Sequence, residues 1–302
     1  MTYFFIILFI LFILIFPLIK LKWVKHGGRW RAFLLHSPLN NNEKRPLLIV
    51  LHGAGGNYYR ISKFAKYTRL NRFADKQKFV VIYPVAVRKN WNDSKREGTQ
   101  DVQNINDVDF IKKLINLCQK KHHIDDKQVF IVGMSNGGAM AYRLSCELAD
   151  KITAIAAISS FMPSALQENC KPAAAIPLLI MNGTEDPLIP MHGGHLHFRD
   201  KILGNILSVQ EIIKLWSTIN ACQEHQQIDI APVANEDTHA EKVIYQDKNN
   251  NTLIEQYIIH GGGHTWSGSK QYLPKALIGK ASQAIDASEI LCHFMEKIGK
   301  QQ

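Results

Sequence analysis

Gly133-Met-Ser135-Asn-Gly137 carries the most chemical content in this 302-residue chain. It follows the apolar run Val129–Val132 and precedes a helix-compatible run, Gly137–Leu148. Gly-x-Ser-x-Gly between a strand and a helix makes a sharp turn that lifts the serine hydroxyl above a sheet, at the positive end of the helix. The structural alternative is a helix-start turn in which Ser135 merely caps. A serine hydroxyl is a weak nucleophile at neutral pH and needs a base, itself oriented by a third group. Two later strand ends supply candidates. An apolar strand ends in Asn182-Gly-Thr-Glu185-Asp186-Pro187, and another in His260-Gly-Gly-Gly-His264-Thr-Trp266. Glu185 and Asp186 are both available as the acid. His264, beyond the glycines, sits where a loop reaches back over the sheet; His260 belongs to the strand end and is equally suited to packing.

Attack on a carbonyl creates an oxyanion that needs hydrogen-bond donors. One candidate is the amide of Asn136, the residue after the serine. Another is the loop Leu51-His52-Gly53-Ala54-Gly55-Gly56, directly after the strand Arg45–Leu51. Serine, then acid, then histidine is the chain order of α/β-hydrolases.

The elements that must hold these groups are legible as alternating strands and helices. Arg29–Ser37, Arg45–Leu51, Phe79–Tyr83, Val129–Val132, Ile152–Ile158, Ile176–Met181 and Leu253–Ile259 are strand-length runs. Asp107–Gln119 has helical spacing with acids at its start; Ser208-Val-Gln-Glu211 is a capping box opening a helix to Asn220; Asp286-Ala-Ser-Glu289 opens a last helix to Ile298. Buried strands alternating with helices predict an α/β fold: a mostly parallel central sheet with helices on both faces and functional loops at the strands' carboxyl ends.

Four strings in order, HGAGG, GMSNGGAM, NGTEDPLIP and GGGHTW, resemble the polyhydroxybutyrate depolymerase and feruloyl esterase family of secreted α/β-hydrolases, over Trp30 to Lys297. The resemblance implies the α/β-hydrolase fold, with Ser135 as nucleophile, Asp186 as acid, His264 as base, and the amides of Ala54 and Asn136 as the oxyanion hole. It also implies a Cys146–Cys170 disulfide. One departure is Ser267, where the family's HTWPG has proline; a looser loop behind His264 is expected. Another is the lack of a second cysteine in Lys242–His260 to partner Cys222.

The expected function is that of a serine esterase acting on feruloyl, acetyl or hydroxyalkanoate esters through an acyl-enzyme. This chemistry requires no metal or organic cofactor. The alternatives are a non-catalytic envelope binding protein on the same fold, which would have no need of the full residue set, or a serine peptidase. Trp91 and Trp266 are candidate rings for an aromatic or sugar subsite. His192, His195 and His197 are a substrate-facing loop rather than a metal site, since no cysteine and no carboxylate nearer than Asp200 stands at useful spacing.

Residues 1–20 read as a signal peptide or membrane anchor and residues 28–300 as the catalytic domain. Residues 4–19 are all apolar. No basic residue precedes them, no small-x-small site follows, and Lys20, Lys22, Lys25, Arg29 and Arg31 lie downstream, which opposes translocation. Export, periplasmic or extracellular, is expected from the family. The net charge of +10 suits polyanions, but no nucleic-acid motif is present. A monomer is expected.

Overall fold

The computed structural model describes residues 21–38, 43–94, 102–198 and 201–301. The predicted targeting segment lies outside these. Among the described residues, no helix is long and apolar enough to cross a membrane. The chain starts with two strands, β1 (Lys22–His26) and β2 (Arg29–His36), then β3 (Arg45–Leu51). Helices α1 (Ile61–Thr68) and α2 (Leu70–Gln77) lead to β4 (Val80–Pro84). Next come α3 (Asp107–His122), β5 (Ile124–Met134), α4 (Asn136–Glu147) and β6 (Ala154–Ile158). A short α5 (Ser164–Gln167) precedes β7 (Leu178–Gly183), a hairpin β8 (Gly194–Phe198) and β9 (Lys201–Ile206), and α6 (Val209–Ile219). The chain ends with β10 (Gln223–Ile230), β11 (His239–Gln246), β12 (Thr252–His260), α7 (Lys275–Ile278) and α8 (Ala287–Gly299).

Ten strands form one sheet in the order β1-β2-β4-β3-β5-β6-β7-β12-β11-β10. The central six, β4 to β12, are parallel; β1, β2, β11 and β10 add antiparallel edges. The β3 sequence explains why this strand is central. Leu47, Leu48, Ile49, Val50 and Leu51 are all fully buried, so both faces are covered. Alternate side chains serve different cores. Leu47, Ile49 and Leu51 pack with Phe110, Tyr142 and Trp216 from α3, α4 and α6. Leu48 and Val50 pack with Ile61, Leu70 and Phe294 from α1, α2 and α8.

The capping box at α6 forms in both halves: Glu211 N–H donates to Ser208 Oγ (3.1 Å) and Ser208 N–H to Glu211 Oε2 (2.7 Å). The early strand expected over Arg29–Ser37 is β2, but β1, the β8–β9 hairpin and the β10–β11 pair are not among the strands expected from sequence. Their residues are half exposed and polar, so their sequences lack the apolar runs that mark the buried strands.

Cys146, on the last turn of α4, is bonded to Cys170, 24 positions further along the chain, with Cα atoms 4.7 Å apart. The bridge pins the helix behind the serine turn to the loop before β7. Removing it by Cys146→Ser with Cys170→Ser is expected to lower the unfolding free energy by about 3 kcal/mol in the chain-entropy description; an unchanged denaturant midpoint would contradict this. Cys118 and Cys292 are buried free thiols, and burial pushes both up to about 12, which keeps them inert.

Candidate active site

Ser135 stands at the carboxyl end of β5 with φ 56° and ψ −126°. For a residue with a Cβ this conformation costs on the order of 1–3 kcal/mol and persists only when its surroundings impose it. Here they do. Ser135 N–H donates to Ile158 O (3.1 Å), and Ser135 O accepts from Gly138 N, Ala139 N and Ser160 Oγ (2.9, 3.1 and 2.7 Å). Glycines make the turn possible: a Cβ at Gly133 would strike Gly137, and one at Gly137 would fall on the carbonyls of Leu51 and His52. The Ser135 hydroxyl makes no capping bond to α4, so the helix-cap alternative does not hold.

Asp186 and His264 meet in a buried pair. His264 Nδ1 lies 2.7 Å from Asp186 Oδ2, with the two side chains only 4% and 1% exposed. Asp186 Oδ1 accepts the amides of Leu188 (2.8 Å) and Ile189 (2.9 Å), which orients the carboxylate. The second oxygen is thereby left for the imidazole. With Nδ1–H donating to it, His264 Nε2 is the free acceptor. Glu185 is exposed, and its side chain is not part of the pair. His260 stacks on His239, centroids 4.4 Å apart, and lies 3.6 Å from Glu241. The two alternatives left open by sequence are thus separated by burial and by partner.

The glycine run brings the Asp186 and His264 loops together. A Cβ at Gly183 would meet Gly262, and one at Gly263 would meet Gly279. His264 N–H donates to Ile278 O (2.6 Å) and Glu185 N–H to Gly262 O (3.0 Å). The loop behind His264 is firmly held despite Ser267. Trp266 N–H donates to Tyr67 Oη (3.0 Å), Ser269 Oγ to Tyr67 O (2.7 Å), and Ala287 N–H to Ser267 O (3.0 Å). The Tyr272 hydroxyl donates to His264 O (3.3 Å), and its ring packs edge-on against Tyr67. Sequence reasoning missed Tyr67 and Tyr272; neither lies in a motif, and only folding brings α1 against the His264 loop.

Gly53 abuts the Ser135 turn: a Cβ there would stand 3.2 Å from Ser135 Cβ. The loop that carries Ala54 therefore packs directly against the Ser135 turn. The Asn136 side chain is clamped, accepting from Trp91 N (2.7 Å) and donating to Asp93 Oδ2 (2.7 Å). Trp91 Nε1–H donates in turn to His52 O (2.9 Å). Trp91 therefore ties the Asn136 turn to the His52 loop.

That finding corrects one expectation. Trp91 and Trp266 are both fully buried, Trp266 with its Nε1–H on Ser288 Oγ (2.8 Å), so neither ring offers a face to substrate. Tryptophan flanking a strand end is as readily a core residue, and here the indole N–H groups are used to cross-link loops. His195 and His197 lie on β8 with exposed side chains, rings 6.2 Å apart, and His192 precedes them in a turn.

His52 is the other buried imidazole. Nε2 accepts from Ala86 N–H (3.1 Å) and Nδ1 lies 2.7 Å from Gly53 O, so the neutral ring with the proton on Nδ1 satisfies both. Burial lowers its pKa from 6.5 to about 4. The unfolded chain then binds the extra proton between those values, so this group leaves stability intact above pH 6.5. As pH falls from 6.5 to about 4, it removes about 3 kcal/mol of stability. An NMR titration following the His52 ring checks this; protonation near pH 6.5 would contradict it.

A profile for the phospholipase/carboxylesterase family matches residues 39–199, more than half of the chain. NocK, named as an esterase, of Nocardia uniformis subsp. tsuyamanensis is 26% identical over 89% of this chain and 80% of its own length. Feruloyl esterase B of Piromyces equi is 26% identical over 54% of this chain, but that match covers only 30% of the Piromyces protein. Among solved structures, an acetyl xylan esterase from Aspergillus awamori superposes with a TM-score of 0.58 at 14% identity, covering 82% of this chain and 94% of that one. At that identity the likeness speaks to the fold, and it agrees with the sheet described above. Profile, full-length relative and sheet topology converge: the chain belongs to the phospholipase/carboxylesterase family of α/β-hydrolases.

Proposed function

We propose that the protein is a serine carboxylic ester hydrolase that uses Ser135, His264 and Asp186. The observation that carries the reading is the buried Asp186–His264 pair, together with an uncapped Ser135 hydroxyl held on a strained turn. His264 Nε2 takes the Ser135 proton as Oγ attacks the ester carbonyl. The amides of Ala54 and Asn136, which have no acceptor among the described residues, receive the oxyanion. His264 then protonates the leaving alcohol while Asp186 holds the tautomer and stabilises the imidazolium. Water repeats the sequence on the acyl-enzyme and releases the acid.

A panel of feruloyl, acetyl and 3-hydroxybutyrate esters tests the reading. Turnover of at least one, following burst kinetics with a p-nitrophenyl ester, is expected; no turnover of any would leave a binding protein on a hydrolase fold.

Export belongs to the same reading. Its supports are the apolar run at residues 4–19 and the Cys146–Cys170 bridge, which suits an oxidising compartment. In natively expressed protein, peptide mapping without reductant is expected to recover that bridge, and protease added to intact spheroplasts to reach the domain. Protection until lysis would place the domain inside, as the downstream basic residues favour.

A further inference from the structure

Four large exposed rings fall together on this surface. Trp23, Trp30, Tyr58 and Tyr59 are 51%, 65%, 43% and 74% accessible. In the β1–β2 hairpin Trp23 pairs with Ala32 and Trp30 with Lys25. Paired residues share a face, as do residues two apart, so Trp23, Lys25 and Trp30 point the same way. The Trp23 ring lies 6.3 Å from Tyr58, which lies 4.1 Å from Tyr59. Single exposed rings are ordinary; a contiguous group marks a contact surface. Lys25 is exposed on this same face, whereas Lys22 and Arg29, each adjacent to a ring residue, are exposed on the hairpin's other face.

The placement adds a direction. β2 pairs with β4 only from Phe33 to His36, with Phe33 opposite Pro84, the last residue of β4. Arg29–Ala32 and the paired part of β1 therefore project past the carboxyl edge of the sheet, by roughly 13 Å for four residues. That is the edge on which Ser135 stands. The chain also enters β1 directly after the wholly apolar residues 4–19.

We propose that this face is a lipid-contact surface. Trp23, Trp30 and Tyr58 sit in the headgroup layer of an anionic bilayer, Lys25 lies against its phosphates, and the Ser135 edge is turned toward the lipid. Trp and Tyr favour that layer because each joins an apolar ring to a polar N–H or O–H. Basic side chains add attraction to anionic headgroups. An acidic polysaccharide also stacks on exposed rings and pairs with the cation beside them, but it does not account for the apolar run that leads into the strand. The inference does not depend on the ester chemistry.

The tryptophans supply the test. Of five, Trp91, Trp216 and Trp266 are fully buried, so brominated lipid reads only Trp23 and Trp30. In full-length Trp23→Phe, Trp30 alone reports. On phosphatidylcholine vesicles containing phosphatidylglycerol, Trp30 is expected to be quenched by bromolipid and shielded from acrylamide. Lys25→Gln is expected to weaken docking roughly 5-fold, at about 1 kcal/mol for the cation removed. Hydrolysis of a p-nitrophenyl ester checks that each variant is folded. Trp30 left open to acrylamide on anionic vesicles would overturn the proposal. So would equal quenching on pure phosphatidylcholine or in the Gln variant, since the N-terminal run alone would then explain it. Shielding by soluble polygalacturonate with no bromolipid effect would make the face a polysaccharide platform instead.

Discussion

Ser135→Ala is expected to reduce ester turnover on the order of 10⁶-fold, the scale on which a serine hydrolase depends on its nucleophile. The residual rate would come from the oxyanion amides and from substrate binding, which the substitution leaves in place. The fold should survive. Alanine carries the same Cβ as serine, so it meets the same strain at φ 56°, and the bonds that impose the turn use the backbone of residue 135. The lost hydroxyl makes no capping bond. An unchanged melting temperature with activity gone is therefore the expected result, and a fluorophosphonate should label the wild-type chain at Ser135 alone. Labelling elsewhere, or substantial activity in the alanine variant, would refute the assignment.

Asp186→Asn is expected to cost ~10⁴-fold in turnover, by the tautomer effect known for such acids. The geometry says why an amide is harmful here. The Leu188 and Ile189 amides donate to Oδ1, so they fix the asparagine carbonyl oxygen at that position. The NH₂ then faces His264 Nδ1, which must become an acceptor. The proton moves to Nε2, and the imidazole can no longer take the serine proton. KM should change little, because Asp186 is buried and does not face solvent. Glu185→Gln, on an exposed neighbour, should leave turnover near the wild-type value. If Glu185→Gln proves the damaging change, the acid is misassigned.

The motifs were legible because local physics writes them into short strings. A strand-turn-helix that lifts a serine needs glycines at fixed offsets, and the same holds for the glycine run before His264. The central strands β3, β5, β6 and β7 were legible because burial on both faces demands unbroken apolar runs. The edge strands were not. β10, for example, reads Gln-Glu-His-Gln-Gln-Ile-Asp-Ile, and five successive exposed residues carry no burial signal at all. It is a strand because β11 lies beside it, and that partner is chosen in three dimensions.

Residue types at spaced positions were enough to name Ser135 and to narrow the acid and the base to two candidates each. Choosing Asp186 over Glu185, and His264 over His260, from the residues themselves required knowing which side chain is buried and what it faces. That information belongs to the packing of the 183–189 and 260–264 loops against each other. The tertiary structure also decided the fate of the tryptophans. Trp91 and Trp266 were candidates for a substrate subsite, yet their rings fill the core and their N–H groups hold loops, while Trp23 and Trp30, far from any motif, lie on the surface. A side chain's neighbours along the chain set its local geometry; whether its ring meets water or protein is set by elements that approach from distant positions, and short strings do not encode that.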